Sequence, residues 1–412
     1  MESTNRIACR ECRGLNDPSS HYCWYCGAPL RGQGLETSAA QKAGRVMARS
    51  LTWLLSIVAL LAVAAGAFYA VDGFLLPALR HHPTQAETII TTTSTASSTT
   101  TATTTPRTDR VVAGADRYGT AIAISKLGFP TGAPALVLAA GDDYAEAVCA
   151  APLAVAYGAP VLLVPPEGIG TDLSVEIQRL GPSQVFLVGL PRPSRITSQL
   201  RSILKEPTVT RLAGADSYET AALVAKEIKT KLGTVSKVVI APSDSFAEAI
   251  AVAPLAAAKG WPILLSPHND DPPAATTDAI TELGATSAII VGSSAKLTLT
   301  DVERQVGGDS YETCALIANY AVTQGLSFAH TAFATGEDFP DGLASGPYLA
   351  LDKGILLLAK GEQLPSVILS LFTTNLKAIR TLDFIGLPGL AKDLASPSTG
   401  TTETGTTETG TT

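Results

Sequence analysis

Residues 211–266 read RLAGADSYETAALVAKEIKTKLGTVSKVVIAPSDSFAEAIAVAPLAAAKGWPILLS. Within them, SYETAALVAKEI (217–228) places apolar side chains at helical spacing. KVVIA (237–241) is a short apolar run that suits a buried strand. SFAEAIAVAPLAAAKG (245–260) is a helix with alanine-rich faces, interrupted by Pro254, which has no backbone N–H to continue the ladder. PILLS (262–266) is again a strand, TDAITEL (277–283) a helix and SAIIVG (287–292) a further strand. Helices alternating with apolar strands predict the α/β class, with a parallel sheet covered on both faces.

The pattern is written three times. AGADRYGTAI begins at Ala113, AGADSYETAA at Ala213 and GGDSYETCAL at Gly307, so the motif aspartates are Asp116, Asp216 and Asp309, spaced by 100 and 93 residues. Each copy then carries a second signature: GDDYAEAVCAAPLA (141–154), SDSFAEAIAVAPLA (243–256) and GEDFPDGLASGPYLA (336–350). APVLLV, WPILLS and KGILLL follow in turn, and later VFLVG, AIIVG and LDFIG. A period this long marks repeated supersecondary units. The repeats run over 110–206, 207–302 and 303–395, each of a size to bury a small core.

What precedes the repeats is different in kind. Cys9, Cys12, Cys23 and Cys26 form C-x2-C-x10-C-x2-C, the spacing of two knuckles that converge on one tetrahedral Zn2+. Residues 1–30 are thus expected to be a structural zinc ribbon, resembling those that open many bacterial membrane proteins. Two disulfides or a redox pair are the alternatives. A basic juxtamembrane segment spans 31–50. Residues 51–71 carry no charge, and 51–76 read as one transmembrane helix, long enough to cross the bilayer. Lys42, Arg45 and Arg49 precede it, so the positive-inside rule places the N-terminus in the cytoplasm and the repeats outside. A Thr-rich extracellular stalk occupies 77–109, and a tail of TTETG repeats, expected to be disordered, occupies 396–412.

Charge narrows the partners. The chain carries −7 overall, while residues 1–50 are net basic, so the remainder is more acidic still. That argues against nucleic acid. Catalysis has little support: His268 and His330 are the histidines of the repeat region, and neither recurs at equivalent positions. No HExxH, GxSxG or P-loop spacing occurs. Cys149 and Cys314 replace alanines of the other copies and read as small buried residues.

The repeated motifs admit two readings each. Asp116, Asp216 and Asp309 stand just before helical patterns, where aspartate caps a helix; a polymer contact is the other reading. Tyr118, Tyr218 and Tyr311 offer a ring for packing and a hydroxyl able to bond across a joint, and Thr120, Thr220 and Thr313 complete the motif. Gly114, Gly214 and Gly308 suit positive φ or close backbone approach. Ser245 with Glu248 has capping-box spacing, with looser versions at Asp143–Glu146 and Asp338–Asp341. A direct role for Glu146, Glu248 and Asp341 toward a ligand or cation is the alternative.

These motifs, above all Arg211-x-x-Gly214-x-Asp216-x-Tyr218-x-Thr220-Ala221, Phe246-Ala247-Glu248-Ala249, Ala253-Pro254-Leu255-Ala256, Pro262-Ile263-Leu264-Leu265 and Val291-Gly292, resemble the cell wall-binding repeat type 2 family. The resemblance implies three tandem Toprim-like α/β units in pseudo-threefold arrangement. It also implies noncovalent attachment to an anionic wall polymer. Because the repeat region is acidic, such a polymer needs local arginines or bridging Ca2+. Arg110, Arg117, Arg211 and Arg304 are the candidate contacts; Arg211 and Arg304 stand five residues before their aspartate, while Arg110 is offset by one. The whole reads as a single-pass membrane protein that tethers membrane to wall or senses the wall, its zinc ribbon free to recruit a cytoplasmic partner. A wall hydrolase, or a modifier of a wall amidase, is the competing class.

Metal analysis of the purified chain is expected to find about one zinc ion per chain, lost on Cys12→Ser. A zinc-free chain with two disulfides by mass spectrometry would overturn the ribbon.

Overall fold

The computed structural model describes residues 107–395 apart from 191 and 339, together with the short strands Ile7–Ala8, Leu15–Asn16 and Ile90–Thr92. The four ribbon cysteines, the apolar run at 51–71 and the C-terminal tail lie outside the described residues. In the N-terminal unit, Ile7–Ala8 pairs antiparallel with Leu15–Asn16. Among the described residues, no helix is long and apolar enough to cross a membrane, and no group of three or more His, Cys, Asp or Glu is placed to hold a metal ion.

In the repeat region the apolar runs are strands, as their length and lack of helical period require. Strands β1 (Thr108–Val112), β2 (Ala135–Ala140), β3 (Val161–Val164) and β4 (Gln184–Val188) belong to the first repeat. Their equivalents are β5 (Thr208–Leu212), β6 (Lys237–Pro242), β7 (Ile263–Ser266) and β8 (Ser287–Val291) in the second. In the third they are β9 (Asp301–Gln305), β10 (His330–Thr335), β11 (Ile355–Ala359) and β12 (Thr381–Ile385). The three central strands of each repeat are buried on both faces, as an all-apolar parallel sheet demands.

The sheets are offset from the repeats by one strand. Their orders are β3-β2-β4-β5, β7-β6-β8-β9 and β11-β10-β12-β1, all parallel. The fourth strand of each sheet is the first strand of the next repeat. The third sheet takes its fourth strand from the first repeat, with Ile385 opposite Val112, and the set closes into a ring. Ile90–Thr92 adds an antiparallel edge beside β1. A lone repeat therefore leaves its own sheet one strand short.

The helices that carry the second signature meet at the centre. Helix α3 (Ala150–Tyr157), helix α7 (Phe246–Lys259) and helix α11 (Ser345–Leu351) pack on one another. Each also packs on the opening helix of the next repeat: α6 (Ser217–Leu232), α9 (Ser310–Thr323) and α1 (Arg117–Gly128), respectively. Pro254 does not break α7, whereas the matching helices of the other copies divide into α2 (Tyr144–Ala147) and α3, and into α10 (Pro340–Leu343) and α11. Those breaks fall at Val148–Cys149 and Ala344, three to four residues before Pro152 and Pro347, where the proline ring opposes a helical carbonyl.

Close packing at this centre explains the small residues. Ala151, Ala253 and Gly346 each stand just before the helix proline, and they meet one another. A Cβ added at Gly346 would lie 2.9 Å from the Ala151 Cβ and 3.0 Å from the Ala253 Cβ. Three methyl groups do not fit where two do. Gly346→Val is therefore expected to destabilise the ring by about 1–3 kcal/mol or more, read as a lower urea midpoint. An unchanged midpoint would show that the three helices do not meet this closely.

Candidate functional site

The opening motif is a helix start built three times in the same way. Asp116 accepts a hydrogen bond from the Gly119 N–H at 2.8 Å, and Asp216 from the Glu219 N–H at 2.9 Å. Asp309 accepts from the N–H groups of Tyr311 and Glu312. Each aspartate occupies the N-cap position with extended backbone, an arrangement worth about 1 kcal/mol per helix. Glu219 and Glu312 return bonds to the Ala215 and Gly308 N–H groups, completing reciprocal caps in two copies; Gly119 takes that place in the first.

The threonines close the loop from beneath. The buried hydroxyls of Thr120, Thr220 and Thr313 accept from the N–H groups of Gly114, Gly214 and Gly307. A Cβ on those glycines would come within 2.2–2.5 Å of residues 119, 219 and 312. Close approach, not positive φ, thus requires glycine here, and the third member is Gly307 rather than Gly308. Each tyrosine has a contact within its own repeat. Tyr118 lies against Gly141 and Tyr311 against Gly336, while the Tyr218 hydroxyl is 2.8 Å from Ser243 Oγ. The Tyr144 hydroxyl crosses between repeats, donating to the Ser243 carbonyl at 2.7 Å.

The second-signature acids lie at the joints. Glu248 is 4% exposed and accepts from Ser245 and, at 2.6 Å, from Ser310 of the next repeat's opening motif. Ser245 occupies the N-cap of α7 but makes no side-chain capping bond. The capping-box expectation for Glu248 is thus corrected: the carboxylate is drawn across the joint by Ser310. Asp341 occupies the matching place between the third and first repeats, with Thr120 as its hydrogen-bond partner. Gly292 and Gly386, both at positive φ, leave room for these acids; a Cβ would meet Glu248 Cγ at 2.3 Å or Asp341 Oδ2 at 2.2 Å. Glu146 stands on α2, after Asp143, whose carboxylate accepts from the Ala145 N–H.

Of the four candidate arginines, Arg110 is the one most fully taken up by the fold. Its guanidinium grips Asp383 in a two-pronged ion pair, 2.7 and 2.9 Å, and also donates to the Tyr348 hydroxyl at 2.7 Å. His330 Nε2 lies 2.8 Å from the same carboxylate. Burial would push the Asp383 carboxyl up, yet His330 and Arg110 hold it below its ordinary value. Register explains the odd offset in the sequence. Val112, Leu212 and Gln305 occupy equivalent pairing positions, so Arg110 shares its place with Glu303, while Arg211 and Arg304 sit one residue on. One residue along a strand reverses the face. Glu303 makes its own ion pair, with Lys237 across the second sheet. Arg110 therefore serves the closure of the ring.

Arg117 reaches the Gly141 carbonyl at 2.8 Å and Asp338 at 3.6 Å, linking the first repeat to the third. Arg211 and Arg304 are exposed and bond nearby carbonyls, Ala213 and Ala295. Two further arginines went unremarked in the sequence. Arg192 and Arg195 line a small cavity at the carboxyl ends of β2, β3 and β4, with Asp142, Pro166 and Gly168. They belong to no repeated motif, so repetition could not reveal them. Cys149 and Cys314 are buried and not joined in a disulfide, and burial raises the Cys314 thiol to about 12.

The family model for cell wall binding domain 2 (CWB2) matches residues 111–191, 211–300 and 304–386. The chain belongs to this family. Among curated relatives, the CWB2 region aligns with the N-acetylmuramoyl-L-alanine amidase LytC of Bacillus subtilis (strain 168) at 32% identity over 261 residues, 61% of this chain and 50% of that protein. It aligns with the amidase enhancer of the same organism at 26% over 282 residues, 68% of this chain and 38% of that protein. The chain thus spans half or less of these relatives. Among solved structures, Cwp6 from Clostridium difficile superposes with TM-score 0.61 at 27% identity, covering 73% of this chain and 49% of that one. Cwp8 from the same organism gives 0.59 at 23%, covering 69% and 50%, and supports the fold alone.

Within this CWB2 ring, Asp341 is the acid least at ease. Burial raises its pKa against the opposing Thr120 bond, and among the described residues its Oδ1 has no hydrogen-bond partner. A raised carboxyl costs stability as pH climbs from its unfolded value through its folded one, and costs nothing below both. Asp341→Asn is expected to raise the melting temperature at about pH 7, with the gain shrinking toward about pH 3. A gain independent of pH would contradict this.

Proposed function

We propose that the protein is a non-enzymatic envelope component that binds an anionic cell-wall polymer noncovalently through its CWB2 ring. The observation that carries this reading is the cell wall binding domain itself, whose three matched segments fill most of the described repeat region. The repeated polar motifs support a binding scaffold rather than a catalyst. They close helix starts and joints, and His330, the histidine most enclosed by acids, is held between Asp352 and Asp383.

The anionic character of the ligand rests on exposed guanidinium groups. Arg211 and Arg304 stay at the surface of an otherwise acidic region. Ca2+ bridging between protein and polymer acids is the complementary means, and it needs no protein-only metal cage. The charge-free run at 51–71 supports attachment to the membrane, with the cysteine knuckles holding Zn2+ on the cytoplasmic side and able to recruit a partner there. Such a chain would tether membrane to wall or report on the wall. The likeness to a protein named amidase enhancer favours a second reading, in which the ring presents a wall amidase to its substrate.

The purified full-length chain is expected to sediment with isolated walls, less so at high salt because charged contacts are screened. A chain that ignores walls both with and without added Ca2+ would overturn the binding reading. Clearing of peptidoglycan in a gel assay would overturn the non-enzymatic one.

A further inference from the structure

The arginine-lined cavity lies where open α/β sheets take their ligands, outside the carboxyl ends of parallel strands at the point where strand order reverses. Gln199, on helix α5 (Pro193–Ile203), shapes it by bonding both the N–H and the carbonyl of Ile169, pinning the loop after β3. Both arginines are exposed. Arg192 gives one donor to the Pro166 carbonyl at 3.2 Å and keeps its others. Among the described residues, Arg195 makes no side-chain hydrogen bond or ion pair. Two cations thus face one small space with Asp142, and among the described residues neither forms an ion pair with it.

The third repeat supplies the comparison. There too the strand ends in Gly-Leu-Pro, at Gly386–Pro388, and helix α13 (Pro388–Ala395) follows. In that copy a carboxylate of the protein occupies the place: Glu362 accepts from the Leu390 N–H at 2.5 Å and lies against Gly389. Strand register aligns position 161 with 356, so Glu167 corresponds to Glu362. Glu167 is exposed and does not line the first-repeat cavity. One copy therefore fills this position with its own carboxylate, and the other lines it with two arginines. The second copy has no helix there: residues 293–300 form neither helix nor strand.

We propose that Arg192 and Arg195, exposed at the mouth of this cavity, form an anion subsite that binds one singly charged group of the wall polymer, a uronate carboxylate or a phosphodiester. The inference rests on the wall-binding reading above and assigns it one place on the ring. Arg192 and Arg195 supply charge-assisted hydrogen bonds. Asp142, in the same lining, opposes a second negative charge and so disfavours a phosphomonoester dianion. The site is unique to the first repeat, so the three copies are unequal in binding although alike in fold.

The test compares the full-length chain with its R192Q/R195Q variant for binding to isolated walls, with polyglucuronate and poly(glycerol phosphate) as competitors. Both side chains are exposed, so the melting temperature should hold while affinity falls about tenfold or more. One competitor should displace the wild type and identify the group. Equal binding by the variant, or displacement by neither competitor, overturns the subsite while leaving wall binding intact. Failure of the wild type to bind walls overturns the reading beneath it. Should the double variant melt early, R195Q alone decides, since Arg195 has no described partner to lose; undiminished binding overturns the subsite.

Discussion

Each sheet of this protein is completed by a strand from the next repeat, and everything else follows from that exchange. A parallel strand needs a long crossover to reach its partner. Here the crossover from β4 to β5 is helix α5, that from β8 to β9 has neither helix nor strand, and the last is closed by the first strand of the region, far away in sequence. Buried strands at an incomplete edge would expose unpaired backbone groups. β5 and β9 are edge strands of their sheets, β1 is covered by Ile90–Thr92, and the mixed burial of all three fits a place near the rim.

The joints share a plan and differ in chemistry. Between the first and second repeats, Tyr157 donates to Glu227, and Lys231 lies over the Tyr157 ring. Between the second and third, Lys237 pairs with Glu303. The closing joint uses the buried Arg110–Asp383 pair, with Tyr348 and His330 satisfying the same carboxylate. Removing one partner of such a pair strands a buried charge, at about 3–5 kcal/mol. The heaviest electrostatic commitment thus sits where no peptide connection helps to hold the strands together. Arg110 is taken up by this closure, whereas Arg211 and Arg304 stay exposed.

Much of this was legible from residue order. The alternation in residues 211–266 identified strands and helices, because apolar runs and helical spacing are local properties. Asp216 as a helix cap was equally legible, since the cap needs only the next turn of its own helix. Glu248 was misread because its local spacing to Ser245 fits a capping box, while its stronger partner, Ser310, lies 62 residues away. Arg192 and Arg195 escaped because repetition highlights what three copies share, and a site present in one copy is invisible to it.

The sequence by itself determined the α/β class, the threefold repetition and the helix starts, all set by interactions spanning a few residues. Tertiary structure alone decided which strand completes which sheet, that Ala151, Ala253 and Gly346 meet, and which arginines remain free. Parallel pairing joins residues with no turn between them, and a shift of one position along β1 turns Arg110 to the opposite face from the equivalents of Arg211 and Arg304. No local pattern encodes that choice; the register of the closing pair does.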